Sequence, residues 1–484
     1  MKLRDLLKDV RMKEIRADME AELEDICYDS RKAAPGTVFV AIRGFETDGH
    51  KYIASAAERG AECVVCEEAP ECAIPYVIVD DSREALALMS RNLFGDPASE
   101  MTVIGVTGTN GKTTTTYLLK LLLEVTRDAK VGLIGTNGNM IGAELIHTER
   151  TTPESYELQK LFRDMADAGC THVVMEVSSH SLVLHRVAGI RFAVGVFTNL
   201  TQDHLDFHKT MGEYAAAKAL LFSMCGRAVI NRDDEWAEFM LRRCKCQALT
   251  FSERESADLT ARDIQLSASG VEFTAAYGGG SEHIKLGIPG LFSVYNALGV
   301  IGCALCLGIG MHESALALSG AKGVKGRVEV VQTDGDYTIL IDYAHTPDAL
   351  ENVLRSMRAV THGRVVALFG CGGDRDRTKR PIMGRIAAEN ADFVIVTSDN
   401  PRTERPEDIV ADITAGLEGT STPHEVIVDR EEAIEWAIGH HQPGDVIVLA
   451  GKGHEDYQII GHEKRHMDER EIVAGILKKR KMYK

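Results

Sequence analysis

The amino-acid sequence predicts an α/β protein that is divided into three domains. A length of 484 residues suits two to four domains, each large enough to bury its own core. Apolar strands rich in Val and Ile alternate with helical patterns, and this alternation begins anew after about residue 330. Such runs are typical of mainly parallel sheets covered by helices on both faces. We place the domains at residues 1–98, 99–330 and 331–484.

The first segment contains short strands and one well-marked helix. Strands are expected at Val38–Ile42, Cys63–Cys66 and Tyr76–Val79, followed by a helix over Ser82–Asn92. This helix should end before Phe94–Pro97, because that stretch contains both glycine and proline. The first domain boundary is therefore placed just after it.

The other two segments supply longer apolar strands. In the second segment, strands are predicted at Met101–Thr107, Val131–Gly135, Thr171–Val177, Phe192–Thr198 and Ala228–Ile230. In the third, they are predicted at Tyr337–Ile341, Arg364–Phe369, Phe393–Thr397, Glu425–Val428 and Asp445–Leu449. The longest apolar run, Ala297–Met311, is interrupted by glycines and is too short for a comfortable membrane span, so it predicts a buried helix.

Composition limits the classes of function. The 72 acidic residues exceed the 55 Lys and Arg residues, giving a net charge of −17, which argues against general binding to nucleic acid or an anionic membrane. The N-terminus lacks the apolar core of a signal peptide, so we expect a cytoplasmic protein. The pairs Cys63/Cys66 and Cys303/Cys306 lack a second Cys or His pair at zinc-site spacing, so buried thiols are expected.

Polar clusters follow the predicted strands of the second and third segments. Ligands of open α/β sheets bind at the carboxyl ends of strands, and two such sets suggest an active site shared between two domains. The clusters are Gly108–Thr113, Glu176–His180, Asn199–Asp206, Gly370–Arg377, Ser398–Arg402 and Gly451–Glu455.

The run Thr107–Thr114 predicts ATP binding. Its small residues let backbone N–H groups approach phosphate oxygens, Lys112 reaches the terminal phosphates, and Thr113 offers a hydroxyl to Mg²⁺. A strict phosphate-binding loop would have glycine at position 106, where this chain has Val106, but the Gly-Lys-Thr core is intact. The predicted ATP-binding residues here are Gly108, Thr109, Asn110, Gly111, Lys112, Thr113 and Thr114.

Two further side chains are candidates for the same site. Glu176 lies at a strand end, where a carboxylate is well placed to hold Mg²⁺. A single histidine is more often structural, but His204 lies among Asp203, Asp206 and His208, which favours a site.

Taken together, the motifs resemble those of the Mur ligase family of ATP-dependent amide-bond-forming enzymes. The resemblance rests on Thr107–Thr114, Glu176–His180, Asn199–Asp206, Tyr214–Phe222 and Asp342–Pro347, and it extends over essentially the whole chain. It implies an N-terminal UDP-substrate domain, a central P-loop ATPase domain and a C-terminal Rossmann-like domain that binds an amino acid.

The resemblance also implies roles for single residues. Lys218 matches the family's carbamylated lysine (N6-carboxylysine), whose carbamate supplies an oxygen donor to a second Mg²⁺. The implied catalytic residues are Lys112, Glu176, His204 and Lys218, and the implied metal-site residues are Thr113, Glu176, His204 and Lys218. The implied further nucleotide contacts are Asn296, Arg327, Asp342 and His345. Ser293 stands where the family often has asparagine.

A second set of positions matches contacts to the UDP-sugar substrate. The loops Tyr28–Arg31 and Gly44–His50 resemble those that hold the uridine nucleotide. The implied contacts to UDP-N-acetylmuramoyl-dipeptide are Ser30, Thr151, Thr152, Ser178 and Arg186. Arg150 and Leu184 depart from one common family pattern, so contacts to the sugar and peptide are expected to differ in detail.

Charged loops of the third segment predict the amino-acid substrate. Guanidinium groups pair with carboxylates, while Asp and Glu suit ammonium groups, so such a set fits a ligand with more than one of each. The run Asp399–Arg402 resembles the signature of members that add meso-diaminopimelate, whereas lysine-adding members commonly lack this arginine. The predicted binding residues are Arg375, Asp399, Asn400, Pro401, Arg402, Gly451 and Glu455.

The expected reaction joins meso-diaminopimelate to the D-Glu side-chain carboxylate of UDP-N-acetylmuramoyl-L-Ala-D-Glu through an acyl phosphate, with ATP as co-substrate and Mg²⁺ as cofactor. The expected partners are these small molecules alone, with no nucleic acid, no membrane insertion and a monomeric protein. The alternatives are a lysine-adding ligase, a folylpolyglutamate-synthetase-like enzyme, a P-loop switch or motor with a protein partner, and a non-catalytic scaffold.

Overall fold

The computed structural model describes residues 1–482 except Phe45, Glu46, Glu149, Glu255, Ala268, Lys322, Gln332 and Asp334, and it describes the backbone alone of Asp206, Lys481 and Met482. The chain forms two compact units. The first comprises residues 1–258 and 299–309, and the second comprises residues 259–298 and 310–484.

The first unit begins with a five-stranded sheet in the order β1-β5-β4-β3-β2. Its strands are β1 (Met12–Arg16), β2 (Asp25–Cys27), β3 (Thr37–Val40), β4 (Cys63–Cys66) and β5 (Tyr76–Val79). All neighbouring pairs are parallel except β1 with β5. Its helices are α1 (Leu3–Leu6), α2 (Ile53–Glu58) and α3 (Ser82–Leu93), and α3 ends just before Phe94, as predicted.

A larger sheet carries the strands of the central region. Within the first unit its strand order is β13-β12-β11-β6-β10-β7-β8-β9. The strands are β6 (Thr102–Thr107), β7 (Val131–Ile134), β8 (Asn139–Ile141), β9 (Glu144–Ile146), β10 (His172–Glu176), β11 (Phe192–Phe197), β12 (Cys225–Asn231) and β13 (Gln247–Ser252). The six strands from β13 to β7 are parallel, so their carboxyl ends share one edge.

Helices follow most of these strands. They are α4 (Lys112–Arg127), α5 (Ser155–Asp167), α6 (Ser179–Val183), α7 (Leu205–His208), α8 (Met211–Ala219) and α9 (Ala237–Arg243). The predicted buried helix is confirmed as α10 (Leu291–Cys306), in which Ile301 and Cys303 are fully buried. None of the helices in the described part of the chain is long and apolar enough to cross a membrane.

The second unit contains three sets of strands. The antiparallel strands β14 (Leu259–Ser267), β15 (Gly270–Tyr277) and β16 (Gly280–Leu286) were not among the strands predicted from the sequence. The second set is a sheet with the order β17-β18-β22-β19-β20-β21, and only β17 is antiparallel to its neighbour. Its strands are β17 (Glu329–Val331), β18 (Thr338–Asp342), β19 (Val365–Phe369), β20 (Phe393–Val396), β21 (His424–Val426) and β22 (Val446–Ala450).

Helices cover both faces of that six-stranded sheet, as continuous apolar strands require. The helices of the second unit are α11 (Met311–Ser319), α12 (Pro347–Arg358), α13 (Lys379–Asn390), α14 (Pro406–Thr414), α15 (Arg430–Gly439) and α16 (Glu469–Met482). Leu340 packs in a cluster with Leu350 of α12 and Met383 of α13, whereas Ile339 packs with Ile434 of α15. A hairpin, β23 (Tyr457–Ile460) and β24 (Glu463–His466), follows the sheet.

Candidate active site

The loop between β6 and α4 is shaped by close backbone packing. Gly108 has a φ of +154°, and a Cβ at this position would lie 1.8 Å from Thr198 Oγ1. That hydroxyl donates to the carbonyl of Asn110 at 2.6 Å, and the amide of Thr109 donates to the carbonyl of Asn199 at 2.9 Å. The loop therefore packs directly against the segment that follows β11, and only glycine fits at position 108.

Two lysines converge on this loop. The ammonium group of Lys112 donates to the carbonyls of Gly108 and Thr109, both at 2.9 Å. Lys218, on α8, donates to the same Gly108 carbonyl at 2.8 Å although only 1% of the residue is exposed. Burial, assisted by the nearby charge of Lys112, holds the pKa of Lys218 well below its usual range.

A cluster of aromatic rings lies next to Lys218. The Nζ of Lys218 lies 4.4 Å from the centre of the Tyr214 ring, and the His204 ring centre lies 6.1 Å from that of Tyr214. His204 also contacts the His180 ring, at 4.9 Å, and its Nε2 lies 3.4 Å from Asp203 Oδ2. The structure thus places His204 and Lys218 around Tyr214, beside the loop.

Glu176 is buried at the end of β10, the strand next to β6. Its carboxylate accepts hydrogen bonds from the Thr136 amide at 2.9 Å and the Thr136 hydroxyl at 3.1 Å. A Cβ on Gly135 would lie 2.4 Å from Glu176 Oε1, so a glycine is needed there for the carboxylate to fit. These contacts fix one anionic group near the carboxyl ends of the parallel strands.

Four of the five positions matched to the UDP-sugar substrate belong to a hydrogen-bonded group next to Glu176. The hydroxyl of Thr152 donates to the Glu176 carbonyl at 2.8 Å, and the Ser178 amide donates to the Thr152 hydroxyl at 3.2 Å. The Thr151 hydroxyl lies 3.0 Å from that of Thr136. Arg186 donates to Thr152 O at 3.2 Å.

A cavity of about 430 Å³ opens in the same unit. Its lining residues are Tyr28, Asn139, Ile146, His147, Thr148, Arg150, Pro153, Glu154, Glu157, Lys160, Leu161 and Asp164. Arg186 pairs with the lining residue Glu154 at 3.1 Å, so the cavity adjoins the hydrogen-bonded group.

Ser30 lies two residues after Tyr28 in a 3₁₀ turn and is not one of the lining residues. Of the loop 44–50, Phe45 and Glu46 lie outside the described residues.

In the second unit, three of the four further predicted nucleotide contacts are found near the end of β18. The buried Asp342 carboxylate accepts the amides of Val328 and Ala344, at 2.7 and 2.8 Å, and burial raises its pKa. The Arg327 guanidinium lies 5.0 Å from the centre of the Tyr343 ring, and the His345 ring lies 4.6 Å from it. Asn296, on α10, is buried, as is Ser293, whose hydroxyl donates to Pro289 O.

The predicted amino-acid site is also assembled in the second unit. Asn400 donates to Glu455 Oε2 at 2.9 Å, and a Cβ on Gly451 would lie 2.6 Å from Asp399 Oδ2. Arg402 has a left-handed backbone with a φ of +53° and donates to Gly373 O at 2.9 Å. Arg375 lies two residues further along that loop and is exposed, and Pro401 is buried between Asn400 and Arg402.

Three contributors were not predicted from the sequence. Lys452 is fully buried, and its ammonium group lies 2.9 Å from Glu455 Oε2 and 3.2 Å from Asn400 Oδ1. The sequence signal that could have identified Lys452 was its position between Gly451 and Gly453, directly after an apolar strand. Thr136 shows no such signal, because its role depends on Glu176, 40 positions away. Tyr214 opens the run Tyr214–Phe222, and its position four residues before Lys218 was the available signal.

Domain models of one family match the chain in three consecutive stretches. They are "Mur ligase family, catalytic domain" at residues 22–93, "Mur ligase middle domain" at 106–304 and "Mur ligase, glutamate ligase domain" at 326–453. A relative from Caldanaerobacter subterraneus subsp. tengcongensis is 49% identical over 482 residues, which is 99% of each chain. The chain belongs to the Mur ligase family.

Several of the similar proteins share one name. The Caldanaerobacter relative is a UDP-N-acetylmuramoyl-L-alanyl-D-glutamate–2,6-diaminopimelate ligase. A Clostridium acetobutylicum protein of the same name, numbered 1, is 47% identical over 485 residues and covers 99% of each chain. A solved structure of a ligase with this name has a TM-score of 0.76 and 33% identity, again over 99% of each chain. The predicted family and fold class are confirmed.

Proposed function

We propose that this Mur ligase joins meso-diaminopimelate to the D-Glu side-chain carboxylate of UDP-N-acetylmuramoyl-L-Ala-D-Glu, with ATP as co-substrate, in peptidoglycan precursor synthesis. Relatives at 49% and 47% identity over the full length carry the corresponding name. The observation that carries the substrate assignment is the loop Asp399–Arg402 packed against Glu455 and Lys452.

That loop suits a substrate with two amino-acid centres. Asp399 and Glu455 are carboxylates for an ammonium group, while the guanidinium groups of Arg402 and Arg375 are donors for carboxylates. Diaminopimelate has a carboxylate at its distal centre and lysine has none. Loss of one charged hydrogen-bonded pair costs on the order of 1.5–3 kcal/mol, or roughly tenfold to more than a hundredfold in discrimination.

The reaction has two chemical steps. First, the D-Glu carboxylate attacks the terminal phosphorus of ATP, which forms an acyl phosphate and releases ADP. Then the amine of diaminopimelate attacks the acyl carbon, and the tetrahedral intermediate expels phosphate. Activation is needed because a carboxylate is a poor electrophile. Lys112 would turn from the loop carbonyls that it contacts toward the phosphoryl oxygens and offset their charge.

Magnesium fits the donor set around the loop. Among the described residues, no group of three or more His, Cys, Asp or Glu side chains is arranged to hold a metal ion. Mg²⁺ commonly takes only one or two carboxylates and completes its shell with water and substrate phosphates. Thr113, Glu176, His204 and carbamylated Lys218 would hold it, and bound Mg²⁺ would supply charge neutralisation at the phosphates.

Carbamylation of Lys218 is supported by the state of its amine. An uncharged amine is the form that attacks CO₂, and burial lowers the pKa of Lys218. The carbamate would place a negative charge at the end of the Lys218 side chain, close to the positive charge of Lys112. Intact-mass and peptide analysis in bicarbonate should show one CO₂ on Lys218, lost on acidification. Unmodified Lys218 in active enzyme would contradict this role.

The whole function is tested by its substrate requirement. Phosphate release should require ATP, UDP-N-acetylmuramoyl-L-Ala-D-Glu and diaminopimelate together, and Lys112→Met should abolish it. A P-loop switch or motor would instead hydrolyse ATP without the other two substrates, with a rate that a protein partner changes. Such substrate-independent turnover as the sole activity would contradict the ligase.

We also propose that the enzyme acts as a cytoplasmic monomer on these small molecules, without nucleic acid. The soluble nucleotide substrates and the net charge of −17 support this assignment. Light scattering of the purified protein should give the mass of one 52.9 kDa chain.

A further inference from the structure

Three thiols lie in contact where the neighbouring strands β12 and β13 begin, apart from the proposed active site. Cys225 begins β12, while Cys244 and Cys246 lie between α9 and β13. The Cys246 sulfur lies 3.6 Å from that of Cys225 and 3.3 Å from that of Cys244. All three are free cysteines and partly exposed. We refer to Cys225, Cys244 and Cys246 as the thiol cluster.

The surroundings of the cluster disfavour more than one thiolate. Burial and contact with Cys246 raise the pKa of Cys225, and burial raises the pKa of Cys244 to about 11. Cys306, on α10, is close enough for its charge to interact with that of Cys246, and Arg227 lies beside Cys306. A charge on one sulfur therefore disfavours a charge on its neighbours.

Geometry selects one pair within the cluster. A disulfide needs its sulfurs about 2.05 Å apart, so a gap of 3.6 Å can be closed by small side-chain rotations. Cys225 and Cys246 lie 21 positions apart, on segments that lead into neighbouring parallel strands. Cys244 and Cys246 are only two positions apart, and a bond between them would close a small, strained ring. We infer that Cys225 and Cys246 form a reversible disulfide, a modification site distinct from the ligase centre.

Peroxide is the class of oxidant that balances the chemistry. The Cys246 thiol gives up its proton as its sulfur attacks one oxygen of hydrogen peroxide. The O–O bond breaks, so that one oxygen stays on sulfur as a sulfenic acid and the other takes up the proton and departs as water. The Cys225 thiol then attacks the sulfenic sulfur and gives up its proton, and the S–O bond breaks so that the hydroxyl leaves with that proton as a second water. Two thiols and one peroxide thus give one disulfide and two waters. A dithiol restores both thiols by exchange.

A Cys225–Cys246 disulfide would link the two ends of a segment that supports the loop between β6 and α4. Between Cys225 and Cys246, Asn231 donates to Thr198 O at 2.8 Å, and Asp234 accepts the Leu200 amide at 2.8 Å. Thr198 in turn donates to the carbonyl of Asn110 in the loop. Oxidation would therefore restrain the segment on which the loop rests.

The test is peptide mapping of the full-length enzyme after treatment with hydrogen peroxide and blocking of the remaining thiols. We expect a linked peptide pair containing Cys225 and Cys246, lighter by two hydrogens and separated by dithiothreitol, with the buried Cys63 and Cys66 unmodified. Cys244→Ser should keep the link, whereas Cys225→Ser and Cys246→Ser should lose it.

The opposite results would overturn the inference. They are a link from Cys246 to Cys244 or Cys306, loss of the Cys225–Cys246 link in Cys244→Ser, or peroxide treatment that leaves Cys225 and Cys246 free. The mapping of the wild-type enzyme decides the matter even if a serine variant does not fold. Because the measurement does not use ligase activity, its result is independent of the proposed function.

Discussion

Lys452 is a fully buried cation in the proposed amino-acid site, where it contacts both Glu455 and Asn400. It lies 4.0 Å from Asp399 Oδ1 as well. Since Asn400 Oδ1 also accepts the Ile459 amide at 2.9 Å, the Asn400 side-chain amide is oriented so that its NH₂ donates to Glu455. Lys452 therefore acts as a positioning residue for the groups that would hold the diaminopimelate ammonium.

Replacement of Lys452 by Met should raise the KM for diaminopimelate by about tenfold or more, because a buried charged hydrogen bond is lost. The KM for ATP should change little. The control is Lys464→Met, since Lys464 is exposed and its Nζ lies 3.6 Å from the centre of the Tyr457 ring. Steady-state kinetics with each substrate varied in turn provide the measurement. Equal rises in both KM values would contradict a positioning role.

Glu404 gives a prediction about pH. Hydrogen bonds from the buried Arg380 guanidinium lower the pKa of Glu404 to about 2, from an ordinary value of 4.5. A carboxyl whose folded-state pKa is depressed stabilises the fold above its unfolded pKa, and this contribution disappears as the pH falls through the folded value. The stability difference between wild type and Glu404→Gln should therefore shrink below about pH 4.5. Denaturant titrations at pH 6 and pH 3.5 provide the measurement, and a constant difference would contradict the assignment.

At the residue scale, the sequence predicts the chemical role of a side chain better than it predicts which residues that side chain contacts. The Gly-Lys-Thr run, Glu176 and the Asp399–Arg402 loop stand out because each lies at or just after the end of a predicted strand, where open α/β sheets bind ligands. The ammonium of Lys218, by contrast, lies on the Gly108 carbonyl, 110 positions away, so its contact could not be read from local pattern. Its role rested on family resemblance alone.

The turn into α4 is the element on which the proposed nucleotide binding depends. Gly108→Ala would place a methyl group 1.8 Å from Thr198 Oγ1, so the loop or the segment after β11 must move. A displacement of about 1 Å in a positioned site costs on the order of 100-fold in rate, so kcat/KM for ATP should fall by that order. The control is Gly475→Ala in α16, where an added Cβ meets nothing within 4 Å. Near-normal kinetics of Gly108→Ala would contradict the packing argument.

The first residue of α16 ties that helix to the six-stranded sheet. Glu469 pairs with Arg430 at 2.8 Å with both side chains fully buried, and Arg430 also donates to Ala450 O at the end of β22. Glu469→Ala should lower the free energy of unfolding by about 3–5 kcal/mol, because it leaves the Arg430 charge buried without its partner. Glu463→Ala breaks the exposed pair with Arg465 and should have little effect. Equal stability losses in the two variants, measured by denaturant unfolding, would contradict this account.

The predicted elements agree with the structure where strands are buried on both faces. Predicted and observed β4 and β5 have the same bounds, and β6, β7, β10 and β11 differ by a residue or so at their ends. The antiparallel strands β14–β16 were missed because they carry many exposed polar residues, as the mixed burial along Leu259–Ser267 shows. Their sequence contains no continuous apolar run.

At the scale of the whole molecule, the repeated alternation of strands and helices was enough to predict a three-domain α/β protein. The exact boundaries near residues 98 and 330 stay predictions. Helix α10 shows why they are hard to read from sequence, because its residues are divided between the two compact units at Gly299. A uniformly apolar helix has no pattern that reveals such a division.

The central claim is that this ligase adds meso-diaminopimelate and that Arg402 helps to select it. The most direct measurement is ATP-dependent phosphate release with UDP-N-acetylmuramoyl-L-Ala-D-Glu, comparing meso-diaminopimelate with L-lysine and identifying the product by mass. The account predicts a tripeptide product with meso-diaminopimelate, little or none with lysine, and a preference that falls roughly tenfold or more in Arg402→Lys. Efficient product formation with lysine, or an unchanged preference in Arg402→Lys, would contradict it.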